Sequence, residues 1–190
     1  VPDLADVRRM HIIGIGGAGM RNLARLFLAR GVGVTGSDLK DSEGVQELRA
    51  LGATVAVGHD VRNLGDADAV VVSTAIRDDN PELVEARRRG IPTWARAQAL
   101  AAAATGRRQI AIAGTHGKTT TTAMIALVLE RAGMDPTFVI GGDTNESGSG
   151  ANAGSGELFV TEADESDGSF LLGGPAVGVV TNVEVDHLDF

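Results

Sequence analysis

The sequence has no cysteine, no tyrosine, one tryptophan and five phenylalanines in 190 residues. Without cysteine there is neither a disulfide framework nor a thiolate metal site, which is compatible with a reducing cytoplasm. Aromatic residues make up 3% of the chain, too few for the stacking platforms that grip single-stranded nucleic acid. Basic residues are also in deficit: 17 Lys and Arg face 25 Asp and Glu, for a net charge of −8. Neutralising a phosphate backbone needs a basic surface, so nucleic acid is excluded as the main partner. No apolar run approaches the roughly 18–20 residues that span a bilayer, and the opening residues carry no signal-peptide pattern. What remains is the profile of a folded soluble protein, 43% hydrophobic and 22% charged. Its length suits one large or two small domains.

Glycine is plentiful, and two glycine clusters organise the chain. The first expected strand, His11–Ile15, runs into Gly14-Ile15-Gly16-Gly17-Ala18-Gly19, a G-x-G-x-x-G. A helix follows, with Met20, Leu23, Ala24, Phe27 and Leu28 on one side. A second strand, Val32–Asp38, ends in an acid 19 residues after Gly19, near the spacing used for ribose recognition in dinucleotide folds. Gly16, Gly17, Ala18 and Gly19 are therefore candidates for a diphosphate, with Asp38 beside a ribose. The same glycines also suit a plain strand-to-helix turn. Further strands are expected at Thr54–Val57, Ala69–Ser73 and Ile91–Trp94, and helices at Ser42–Leu51, Asn80–Arg89 and Ala95–Ala104. Pro92 demotes its strand to an edge. Ser73, at a strand end, is either a ligand contact or an ordinary turn residue. Alternating β-α units predict a parallel sheet with helices on its faces.

The second cluster follows the apolar run Ile110–Ala113. Gly114-Thr115-His116-Gly117-Lys118-Thr119-Thr120 leads into a helix through Met124, Leu127 and Val128. Strand, glycine loop ending in Gly-Lys-Thr, helix: this is the outline of a phosphate cradle. The helix start offers backbone N–H groups and its positive dipole end. Lys118 adds a full charge, and Thr119 can place a hydroxyl on Mg²⁺. A strict G-x-x-x-x-G-K-T would carry glycine at Ile112, so the loop is a shorter-spaced relative. His116 either contacts phosphate or fits the turn. Thr105–Arg108 marks a boundary, giving domains 1–106 and 107–190. The second is read as incomplete, the chain as a fragment of a longer protein.

Ten acidic residues and no Lys or Arg follow Gly141. Glu162, Asp164, Glu165 and Asp167 come after an expected strand at Leu158–Thr161, beside the phosphate cradle. All four are candidates for Mg²⁺, which favours few carboxylates plus phosphate oxygens and water. The last strand, Ala176–Thr181, leads to Asp186-His187. His187 is either a metal ligand oriented by Asp186 or a surface loop residue. The stretch from Gly141 to Gly156 reads as one long loop, unusually long for a compact domain.

Four motifs occur together in order: Gly14–Met20, Gly114–Thr120, Glu162–Asp167, and Thr181-Asn182-x-x-x-Asp186-His187. This set resembles the Mur ligases, and within them the alanine-adding branch. The resemblance implies a Rossmann-like UDP-sugar domain followed by the first part of a P-loop ATPase domain. A C-terminal amino-acid-binding domain is then absent from the chain. It implies that Gly114–Thr120 wrap the phosphates of ATP, with Lys118 on the β/γ oxygens. Thr119 and Glu162 fall to a first Mg²⁺ and His187 to a second, so Lys118, Glu162 and His187 are the implied catalytic residues. It turns the dinucleotide reading of the first loop into a UDP-sugar one. The implied chemistry joins L-alanine to the lactyl carboxylate of UDP-N-acetylmuramate through an acyl phosphate, in peptidoglycan precursor synthesis. The alternatives are a related ligase with another amino acid or peptide acceptor, or a non-catalytic nucleotide-sugar-binding fragment. Arg21 and Asn22 depart from the family, which usually has small residues there.

Overall fold

Arg9–Ile13 forms β1 and ends at Gly14, whose φ of +78° is open to glycine and strained for other residues. That corrects the expected strand His11–Ile15: β1 starts and stops two residues earlier, and it stops where Gly14 breaks the extended chain. In this computed structural model, residues 4–141, 150–163 and 174–184 are described. After β1 come α1 (Ala18–Ala29), β2 (Gly33–Asp38), α2 (Glu43–Ala50) and β3 (Thr54–Val57). A single 3₁₀ turn at Val61–Leu64, which the sequence reading lacked, precedes β4 (Ala69–Val72). Then follow α3 (Pro81–Arg89), β5 (Thr93–Ala95) and α4 (Arg96–Ala104).

The five strands form one parallel sheet in the order β3-β2-β1-β4-β5. The chain moves outward from β1 to β3 and then returns to β4 on the other side of β1. The topological switch therefore falls between β1 and β4, where open α/β sheets bind ligands beyond their C-terminal ends. Gly14 and Ser73 leave the sheet at that point, and the Ser73 N–H donates to the Ile13 carbonyl at 3.3 Å. β5 is the sheet edge, as Pro92 requires. Asn80 caps α3, its Oδ1 accepting from the N–H groups of Glu82 and Leu83, and Pro81 fills the first turn.

The second sheet contains β6 (Arg108–Ala113), β7 (Thr137–Val139), β8 (Ala151–Asn152), β9 (Leu158–Glu162) and β10 (Val177–Val180), in the order β10-β6-β9-β7-β8. Its strands are parallel except β8, which runs against β7. α5 (Lys118–Arg131) crosses from β6 to β7. β8 interrupts the expected Gly141–Gly156 loop. Two residues are too short to show a period-2 pattern, and their glycine-rich flanks read as loop. Pairing Phe138 with Asn152 and Val139 with Ala151 occupies an edge of β7 that would otherwise lie open.

One apolar core joins the two sheets. Leu23 and Phe27 of α1, Leu100 of α4 and Met10 and Ile12 of β1 cluster with Val139, Ala151 and Phe159 of the second sheet. Between the helices and the far sheet, Asn22 donates from Nδ2 to the Ile140 carbonyl at 2.8 Å. Ile112, Ala126, Phe138, Ile140 and Val160 form a separate cluster beneath α5.

A buried polar cluster pins the first sheet to α3. Glu82 and His11 are fully buried, with His11 Nε2 3.3 Å from Glu82 Oε2. Ser37 donates to the same oxygen at 2.5 Å, while Asn63 Nδ2 and the Asp60 N–H donate to Oε1. Burial alone would raise the Glu82 carboxyl, but the hydrogen bonds from His11, Ser37, Asn63 and the Asp60 backbone outweigh it and hold it at about 2. A depressed carboxyl stabilises the fold above its unfolded value, and that contribution disappears as pH falls through the folded value. Stability should therefore decline between the ordinary carboxylate value of 4.5 and about 2. Glu82→Ala should cost about 3 kcal/mol by stranding its buried donors, lowering Tm by roughly 10 °C. In Glu82→Gln the acid-side slope of Tm against pH should flatten; a profile parallel to wild type would show that Glu82 does not carry it.

Candidate functional site

Two glycine loops occupy equivalent places at the C-terminal ends of the two sheets. α2 and α3 begin on side-chain caps, Ser42 and Asn80, whereas α1 and α5 begin on Gly17 and Gly117 with no side-chain cap; α4 also begins without one, on Ala95, but does not start from a glycine loop. Neither α1 nor α5 has an acid in its first turn. The leading N–H groups of a helix have no intrahelical acceptor. Leaving them without carboxylates or caps is the electrostatic condition for receiving an anion.

In the second loop, Gly114 takes φ +133° and Gly117 φ +81°. Lys118 folds back over the loop and donates from Nζ to the Gly114 carbonyl at 2.7 Å, which fixes its charge above the α5 start. The loop is held from outside by the residues after β10. Asn182 Oδ1 accepts from the His116 N–H at 2.9 Å, and the Asn182 carbonyl accepts from the Thr115 N–H at 3.3 Å. Thr181 Oγ1 donates to the His116 carbonyl at 2.6 Å. The Thr115 hydroxyl lies between the Glu184 N–H and its carbonyl. His116 is exposed, and its backbone rather than its ring makes these close contacts; its Nε2 is 4.0 Å from Glu184 Oε2. Thr119 and Thr120 lie in the first turn of α5. Thr181 and Asn182 as loop clamps were not foreseen, although both stand in the quoted motif.

Glu162 ends β9, in register with Ile112 of β6, the strand that feeds the loop. It is 6% exposed. Its Oε1 accepts from the Gly141 N–H at 2.8 Å, and a side chain at Gly141 would meet its Oε2 at 2.7 Å. Glu162 also lines a cleft of about 140 Å³ with Ala113, Thr161, Leu100 and Val180. Among the described residues, no three His, Asp or Glu gather as a metal cluster. Asp164, Glu165, Asp167, Asp186 and His187 lie outside the described residues.

In the first loop, Ser37 and Asp38 at the end of β2 organise the turn. The Ser37 carbonyl accepts from the N–H groups of Gly14 and Ile15, and Asp38 Oδ2 accepts from Gly16 N–H at 2.8 Å. Asp38 thus turns in toward the loop, and any side chain at Gly16 would strike its carboxylate. Gly17 donates to the Gly14 carbonyl at 3.3 Å, leaving Ala18 and Gly19 as the first-turn amides of α1. Ser73 lies against Gly14, its Cβ 3.2 Å from where a Gly14 side chain would begin. Arg96, at the start of α4, approaches Gly19 from the far side, which the sequence reading did not anticipate.

Residues 9–108 match the model of the Mur ligase family, catalytic domain, and residues 112–190 that of the Mur ligase middle domain. The chain belongs to the Mur ligase family. Proteins named UDP-N-acetylmuramate–L-alanine ligase are similar to it. That of Salinispora arenicola is 58% identical over 97% of this chain and 36% of its own length, and that of Thermobifida fusca 59% identical over 95% and 38%. The chain therefore spans less than half the length of these Mur ligase relatives. Among solved structures, the UDP-N-acetylmuramate-alanine ligase of Thermotoga maritima superposes with a TM-score of 0.87 at 36% identity, covering 95% of this chain and 43% of that one. The UDP-N-acetylmuramate:L-alanyl-gamma-D-glutamyl-meso-diaminopimelate ligase of Neisseria meningitidis gives 0.85 at 35% identity, over 95% of this chain and 62% of that one. Both matches carry the α/β architecture of the Mur ligases.

Proposed function

We propose that this chain is the N-terminal part of an ATP-dependent ligase that joins L-alanine to the lactyl carboxylate of UDP-N-acetylmuramate. In this reading residues 1–106 hold the UDP-sugar and residues 107–190 the ATP, and the enzyme works in the cytoplasm. The observation that carries it is the pair of helices that start from glycine loops at the strand ends of the two sheets, without a side-chain cap or a first-turn acid, one with a lysine bent over it. Two phosphorylated ligands fit two such loops; among the described residues, no helix is long and apolar enough to cross a membrane.

The residues present fit a nucleotide triphosphate with Mg²⁺. Among the described residues, a side chain at Gly117 would meet nothing within 4 Å, which leaves room for a ligand at the mouth of the loop. Gly114, Thr115, His116, Gly117, Lys118, Thr119 and Thr120 would line the phosphates. The Thr119 hydroxyl and the Glu162 carboxylate would hold one Mg²⁺, and His187 a second. Bound there, the metal would supply charge neutralisation to phosphate oxygens. Lys118 would neutralise the β/γ oxygens as the lactyl carboxylate attacks the γ-phosphorus and ADP departs. The acyl phosphate so formed would then accept the amine of L-alanine and release phosphate. At the other loop, the Ala18 and Gly19 amides would carry the diphosphate, on the turn that Gly16 and Gly17 form. Asp38 would set the turn by holding Gly16 N–H, and Ser73 would lie beside it at the switch point.

The full-length protein should release phosphate only when ATP, Mg²⁺, UDP-N-acetylmuramate and L-alanine are all present. Absence of release under those conditions would sink the reading. The likeness to the Neisseria ligase keeps one rival in view, a peptide acceptor. Replacing L-alanine by the tripeptide separates the two, since the proposal expects turnover with alanine and none with the tripeptide. Residues 1–190 alone should show no turnover.

A further inference from the structure

Asn22 is 1% exposed on α1, two residues beyond the first-turn Met20. Its Nδ2 donates to the Ile140 carbonyl at 2.8 Å, reaching from the first sheet's helix to the end of β7. The next amide is Gly141 N–H, which donates to Glu162 Oε1 at 2.8 Å. The Ile140 carbonyl and the Gly141 N–H belong to one peptide unit. That unit is planar, so the direction of its carbonyl fixes the direction of its N–H. One rigid plate is therefore gripped at one edge by Asn22 and at the other by Glu162. The Ile140 N–H is itself tied to the Gly150 carbonyl at 2.8 Å, and a side chain at Gly150 would collide with the Asn22 amide. The plate has little freedom except through Asn22.

We infer that Asn22 is a positioning residue for Glu162: it orients the Ile140–Gly141 peptide, which in turn sets the Glu162 carboxylate beside the phosphate loop. It thereby links the helix that begins at the first glycine loop to the proposed metal ligand of the second. Three features argue against Asn22 being a filler of the core. An apolar side chain of similar volume would pack against Ile140 without meeting its carbonyl. The Ile140 residue is 1% exposed, so its carbonyl has no solvent to fall back on once the donor is gone. Gly141 must stay without a side chain for the carboxylate to approach it, which makes the backbone N–H its available handle.

The inference rests on the assignment of Glu162 to Mg²⁺, and the test separates the two. In the full-length protein, Asn22→Leu and Asn22→Ala would be compared with wild type and with Glu162→Gln. Hydrogen exchange at the Gly141 amide, read by mass spectrometry without nucleotide or metal, should accelerate about tenfold in both Asn22 variants. The Mg²⁺ concentration giving half-maximal phosphate release should rise about tenfold, in the range lost when a group behind a metal ligand is removed. KM for UDP-N-acetylmuramate should stay within about twofold. Unchanged Gly141 exchange in both variants would overturn the positioning role. So would a raised KM for the UDP-sugar at unaltered Mg²⁺ dependence, since Asn22 would then serve the first loop instead. If Gly141 exchange accelerates but Glu162→Gln leaves the Mg²⁺ dependence untouched, the peptide is oriented by Asn22 and it is the metal assignment of Glu162 that falls.

Discussion

Lys118→Ala in the full-length enzyme is expected to lower kcat by about 10³-fold, with little change in thermal stability. The reasoning is electrostatic. α5 brings partial positive charge to its first turn, but its N–H groups are fixed dipoles and cannot neutralise a developing charge of a full unit. Lys118 can, and its Nζ is already held over the loop by the Gly114 carbonyl, 2.7 Å away. That preorganisation means little of the interaction is lost to ordering the side chain when ligand arrives. The same hydrogen bond raises a competing explanation, that Lys118 merely shapes the loop. Lys118→Met keeps the apolar stem and removes the charge, while Lys118→Arg keeps the charge in a planar fork of different reach. The proposal expects Met to match Ala, and Arg to recover only part of the rate. Phosphate release at saturating substrates reads the effect; near-wild-type kcat in Lys118→Met would remove Lys118 from the chemistry.

Legibility from sequence followed the range of the interactions involved. Asn80-Pro81 announced the start of α3 because a cap and its proline act within one turn. Pro92 announced an edge strand because a missing donor is a property of one residue. The glycines of both loops were visible for the same local reason. What those glycines do with their amides was not. Gly16 N–H ends on Asp38, 22 residues away, a partner whose spacing instead suggested a ribose contact. The clamp on the second loop joins Thr115 and His116 to Thr181, Asn182 and Glu184 across 65 to 69 residues. No periodicity encodes such a contact; it follows from β10 lying beside β6. The cluster around Glu82 was hidden in a different way. His11 sits among apolar neighbours in β1 and reads as one more strand residue, although its ring joins a glutamate 71 positions later. Asn22 appeared in sequence only as an oddity, and it acquires a purpose once α1 is seen against β7 and β8.

The two glycines of the second loop should respond very differently to alanine. Both have positive φ, +133° at Gly114 and +81° at Gly117. At Gly117 the added methyl would meet no atom of the described residues within 4 Å, so the cost there is that of the left-handed backbone, about 1–2 kcal/mol. At Gly114 the methyl would run into the Thr181 hydroxyl and press on the Asn182 backbone, whose carbonyl and N–H lie 3.0 and 3.1 Å away. Those are the groups that clamp Thr115 and His116. Gly114→Ala must therefore either displace the clamp or move the loop, and either shift carries Lys118, whose Nζ rests on the Gly114 carbonyl. A displacement of an ångström in a positioning element costs about 10²-fold. Gly114→Ala should thus lower kcat/KM for ATP by about that factor or more, while Gly117→Ala, whose methyl points to the open side, should chiefly raise KM for ATP. Thr181→Ala alone should lower kcat/KM for ATP in the same direction, because it removes the hydroxyl that holds the His116 carbonyl. Steady-state kinetics on the three full-length variants would decide it. Equal effects at both glycines, with wild-type kinetics in Thr181→Ala, would mean that the strand end after β10 does not hold the phosphate loop in place.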